Sequence, residues 1–103
     1  MAIEVRLERR EIGSVIAALE RELERLRKRL QRVEAELREY EERYGMPTRE
    51  FMRMYEECAR ARGEWRLPEE ADLDAVEWHG LALAREEIVE EVENIEKVLS
   101  RLR

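Results

Sequence analysis

The sequence predicts an all-α fold: a long antiparallel helical hairpin with a short connecting helix, coiled-coil-like, which dimerises into a four-helix bundle. Three observations predict it. Apolar residues recur at alternating spacings of four and three through residues 12–44. A second periodic stretch occupies residues 78–102. The first stretch carries a basic run and the second an acidic run, which suits a chain folded back on itself.

Residues 1–10 read as an extended or strand-like segment ahead of the helical domain, residues 11–103. Ile3, Val5 and Leu7 alternate strictly with charged residues, the period of two of a strand. A lone strand needs a second copy or a partner's sheet edge to pair with. A frayed tail and an early start to the first helix are the competing readings.

The first helix is expected over about residues 11–44. Ile16, Leu23, Leu30, Leu37 and Tyr44 fall at heptad position a, and Ile12, Leu19, Leu26, Val33 and Tyr40 at d. Side chains at this spacing form one stripe along a helix roughly 50 Å long. After the weak point at Gly13 and Ser14, no Gly or Pro interrupts the pattern. Gly45 suits the left-handed residue after a helix, and Pro47 cannot continue one.

Thr48 is then expected as an N-cap. It opens a short helix over about residues 49–61, on which Phe51, Met54, Tyr55 and Cys58 share one face. Residues 64–68 form a loop that carries Trp65 and Leu67. Trp65 is expected to tuck over the core, because large exposed apolar groups are the exception.

Asp74 and Glu77 match a capping box at the start of a third helix, over about residues 74–102, with Asp72 a competing cap. Its seam comprises Trp78, Leu81, Ile88, Val92, Ile95, Leu99 and Leu102; Arg85 interrupts it, and Gly80 lowers helix propensity. Residues 21–32 hold six basic and two acidic side chains, while residues 86–96 hold six Glu and no base. Folding back sets residues 25–32 beside roughly 86–93, so both runs read as one salt-bridged face. Val15 and Ala18 beside the first seam, and Leu83, Val89 and Val98 beside the second, widen each stripe beyond one contact. A homodimeric bundle covers them. Parallel pairing of the first helices is the alternative, with Glu22–Arg27 and Arg29–Glu34 attractive and Glu36–Glu41 repulsive.

A net charge of −6 argues against nucleic acid as the ligand. No apolar run reaches the length of about 18 residues that a membrane span needs, and neither a span nor a signal peptide is expected. A single cysteine, Cys58, gives no disulfide framework and suits a reducing cytoplasm. Eighteen of the twenty basic residues are Arg, with one Asn and one Gln, a composition that resembles heat-adapted proteins.

No enzyme activity, cofactor or metal is expected. Glu86, Glu87, Glu90 and Glu91 raise the alternative of a magnesium-dependent, all-α nucleotide pyrophosphohydrolase. Those enzymes follow Glu-Glu-x-x-Glu with Glu-x-x-Asp, and no Asp occurs here after Asp74. One histidine, His79, and one cysteine cannot assemble a zinc site alone. Val76 stands where a di-iron bundle needs a Glu three residues before its His.

The block Tyr44-Gly45-Met46-Pro47-Thr48-Arg49-Glu50-Phe51, followed by Tyr55, Asp72, Asp74, Glu77-Trp78 and Leu81, resembles small helical prokaryotic proteins of the antitoxin type. The resemblance covers about residues 30–100. It implies a non-catalytic protein that binds and neutralises a toxin-type partner. The alternating N-terminal segment is not part of that pattern, and no DNA-binding element is recognisable. The candidate partner-binding residues are Phe51, Tyr55, Trp65 and Leu67 of the connector, together with Ile3, Val5 and Leu7. Aromatic side chains are enriched at interface cores, while the competing reading of Phe51 and Tyr55 is that they cap the core. A purely structural coiled-coil scaffold is the third reading.

Overall fold

The computed structural model describes residues 8–103, so Ile3, Val5 and Leu7 lie outside the described residues. Among the described residues the elements are three α-helices, α1 (Arg9–Tyr44), α2 (Thr48–Ala59) and α3 (Asp72–Leu102), with one 3-10 turn, Glu69–Ala71, ahead of α3. α1 and α3 pack as an antiparallel hairpin, and α2 lies at its closed end.

α1 begins at Arg9, earlier than its apolar seam requires. Glu8 is extended, and its N–H donates to the Glu11 carboxylate at 3.2 Å, which satisfies one amide that the helix start leaves open. The helix ends on Gly45 at φ 61° and ψ 36°. The Met46 N–H then donates to the Glu41 carbonyl at 3.2 Å, the six-to-one bond of a Schellman ending.

Thr48 is not the cap of α2. It is the first helical residue, after an extended Pro47. Its N–H donates to the Glu41 carboxylate at 2.7 Å, and its hydroxyl accepts the Trp78 indole N–H at 3.0 Å. A carboxylate from α1 thus serves the positive end of α2, which frees the threonine hydroxyl for α3. α2 stops at Ala59, and positive φ at Ala61 and Gly63 turns the chain toward the connector.

Asp74 and Glu77 likewise do not cap α3. The turn at Glu69–Ala71 begins the helical path upstream, and α3 opens at Asp72 with no side-chain cap. Both carboxylates reach across to α1 instead. The Tyr44 hydroxyl and Arg43, at 2.8 Å, donate to Asp74, and the Tyr40 hydroxyl donates to Glu77.

Farther from the closed end, Arg85 meets Glu34 at 3.5 Å, Arg27 meets Glu96 at 3.5 Å, and Arg103 meets Glu20 at 3.1 Å. These pairs run antiparallel as expected, but within residues 25–32 Arg27 meets Glu96, just past the expected 86–93. The salt-bridged face is thinner than expected, however. Among the described residues, Arg27–Glu96 alone joins the basic run to the acidic run, while Arg25 turns to Glu22 and Lys28 to Glu24 on their own helix. These pairs are exposed, so they select register more than they stabilise.

The seam is the core. Leu23, Leu26, Val33, Leu37 and Tyr40 are buried with Ile88, Val92 and Leu99, while Ile12, Ile16, Leu19, Leu30, Tyr44, Leu81 and Ile95 are half-buried. At the closed end Phe51 and Met54 of α2 join Ala75, Trp78 and Ala82 of α3. Among the described residues no buried side-chain nitrogen or oxygen lacks a partner, as a specific core requires. No helix there is long and apolar enough to cross a membrane.

Candidate protein-binding face

The closed end is built around Trp78, which is fully buried. Phe51 stacks on it at 3.9 Å between ring centroids with the planes 1° apart. Tyr40 and Tyr44 stack on it at 5.8 and 5.9 Å. One side chain of α3 therefore contacts rings from both other helices, and its N–H is tied to Thr48. Around it the Glu77 carboxylate and burial push the Tyr40 phenol up to about 12. Asp74 raises Tyr44 in the same way. Asp74 itself is held below the usual carboxylate range, first by the Tyr44 hydroxyl and then by Arg43.

This arrangement sorts the connector residues. Phe51 is fully buried and Leu67 is buried, so neither presents a surface to a partner. Both belong to the core, because the indole of Trp78 and the closing of the connector need apolar cover. Tyr55 and Trp65 are half-buried. The Tyr55 ring stacks on His79 at 4.1 Å and meets the Trp65 edge at 6.1 Å. Trp65 is thus tucked against Tyr55, as its loop position suggests.

The exposed apolar surface lies elsewhere. Leu73 is 82% exposed, Val76 61% and Leu83 40%. With Gly80 they are spaced three, four and three along α3, on the side opposite Ala75, Trp78 and Ala82. At Gly80 the backbone is bare, and an added Cβ would meet nothing within 4 Å. Sequence reasoning singled out Leu83 and Gly80 but not Leu73 or Val76. The signal was a second stripe half a turn away from the Trp78 seam, overlaid on it within the same residues.

The other groups with possible chemistry do not converge. Glu86, Glu87, Glu90 and Glu91 are exposed, and among the described residues no three His, Cys, Asp or Glu side chains gather in a metal-holding cluster. No hydrogen bond joins half-buried Cys58 to His79. A cleft of about 620 Å³ opens between α1, the start of α2 and α3. Of its charged lining, Glu34 pairs with Arg85 and Glu41 holds the Thr48 N–H. Comparison of the chain with models of known families, with characterised proteins and with solved structures gives no match.

Proposed function

We propose that this chain is a non-catalytic protein-binding module, serving a toxin-type protein partner as the Tyr-Gly-Met block suggests. The observation that carries the reading is the exposure of Leu73 and Val76, at 82% and 61%. Single exposed apolar residues are ordinary, but a contiguous face on one helix supports an interaction site. The closed end behind this face is locked by Trp78, so the face is presented on a rigid element.

The test is co-expression with a toxin-type protein encoded beside it. The wild type should capture that protein and relieve its toxicity. A Leu73→Gln/Val76→Gln variant should fold identically by circular dichroism and lose both effects. Capture that survives the double substitution removes the face from the proposal.

Self-association into a four-helix bundle belongs to the same proposal. Leu30, Leu81 and Ile95 are only half-buried, and Val98 is 40% exposed, apolar surface that a second copy would cover. Light scattering at micromolar concentration should give twice the 12.5 kDa of one chain. A stable monomer removes the bundle and leaves the binding face standing.

A further inference from the structure

We infer that the outer face of α3 docks a basic amphipathic helix, in which an apolar stripe seats on Leu73, Val76, Gly80 and Leu83 while Lys or Arg side chains meet the acidic rim. The inference rests on the binding-module reading and names the chemistry of its partner. Residues 69–96 contain eleven carboxylates and a single cationic side chain, Arg85, which is turned to Glu34 on α1. Asp74, Glu77 and Glu96 are engaged by α1. Glu69, Glu70, Asp72, Glu86 and Glu87 are exposed around the stripe, and among the described residues none of the five is in an ion pair. The apolar strip is therefore framed at both ends by carboxylates that no ion pair neutralises.

That frame decides the occupant. A second copy laid on the same face would set carboxylates against carboxylates, and like charges across an interface reject a partner. Nucleic acid is repelled for the same reason. A helix with basic flanks satisfies both parts of the surface at once. The stripe spans residues 73–83, about three helical turns and roughly 15 Å, which matches the anchors i, i+3 or i+4, and i+7 of a helix lying along it. Gly80, with open space where a side chain would stand, leaves a seat for a large apolar anchor between Val76 and Leu83.

The test uses three labelled helical peptides of about 14 residues, measured by fluorescence anisotropy on the full chain. One is a Leu/Lys amphipathic helix, the second keeps its apolar pattern with Glu for Lys, and the third shuffles the first. The amphipathic basic peptide should bind at least about tenfold more tightly than either control, and its binding should weaken as salt rises. Leu73→Gln/Val76→Gln, and separately Gly80→Leu, should lower that affinity by about tenfold or more with the thermal transition preserved. Equal binding of the shuffled peptide, or unchanged binding by both variants, overturns the inference. So does sedimentation showing that Leu73→Gln/Val76→Gln dissociates a wild-type dimer, because the face then belongs to a second copy. If the peptide preference is missing but the same double variant still loses the co-expressed partner, this inference fails and the binding-module reading stands.

Discussion

The indole N–H of Trp78 on α3 donates to the hydroxyl of Thr48, the first residue of α2, at 3.0 Å. The bond lies beside a stacked Phe51–Trp78 pair, so α2 is held to α3 by apolar area and by one directional contact. Thr48→Val should cost about 1–3 kcal/mol, because it leaves a buried N–H without an acceptor. In a Trp78→Phe background, where that N–H is gone, the same change should cost much less. Denaturant titration of the four variants measures the coupling. Simple additivity would mean that the bond contributes nothing.

Acid should loosen the closed end. The pKa of Asp74 is depressed in the fold, chiefly by the Tyr44 hydroxyl and then by Arg43. A depressed carboxylate stabilises the fold above its unfolded value, near 3.9, and that contribution is lost as pH falls through the lower folded value. Tyr40 works at the other limit. Its folded value is pushed up to about 12, so its contribution is complete below about 10 and is lost as pH rises toward 12. Asp74→Asn should flatten the acid limb of a stability–pH curve and, because Asp74 also raises the Tyr44 phenol, shrink the alkaline limb to the part that Glu77 and burial set through Tyr40. An acid limb identical to that of the wild type would show that the Tyr44–Asp74–Arg43 cluster carries no folding free energy.

What was legible in the sequence follows from how local each signal is. The seam from Ile12 to Tyr44 repeats within single helical turns, so its face, its length and its Gly45 stop can be read residue by residue. The opposed basic and acidic runs add the antiparallel register. Caps were misread for the same reason that seams were read well. Asp74 with Glu77, and Thr48 alone, have the spacing of local caps, but their oxygens are taken by Tyr44, Tyr40 and Trp78 from other helices. Spacing along one chain carries no information about such partners. Leu73 and Val76 were hidden differently: α3 carries two apolar stripes, and a single-seam reading absorbs one into the other.

Burial within the seam is uneven, and substitutions should follow it. Leu26 is 1% exposed, whereas Leu30, one turn on, is half-buried. Leu26→Ala should cost about 2–5 kcal/mol, the range of buried large-to-small changes. Leu30→Ala should cost less in the isolated hairpin, because less of the side chain leaves water on folding. A Leu30→Ala loss equal to that of Leu26→Ala would place Leu30 in a covered contact, as the proposed bundle requires. Denaturant midpoints at two protein concentrations separate the two cases.

The glycines give the cleanest opposed pair. Gly45 sits at φ 61° in the left-handed region, where it ends α1 and directs the Met46 N–H back to Glu41. A residue with a Cβ is strained there, so Gly45→Ala should destabilise by about 1–2 kcal/mol although an added Cβ meets nothing within 4 Å. Gly80 has equally open space around its missing Cβ but lies within the regular run of α3. There Ala is the better helix former, and Gly80→Ala should stabilise by up to about 1 kcal/mol. Space is the same at both sites and only the backbone differs, so opposite signs in thermal denaturation isolate backbone conformation as the cause. A stabilising Gly45→Ala would mean that α1 does not end on a left-handed residue. A destabilising Gly80→Ala would mean that another chain already packs against the bare backbone of α3.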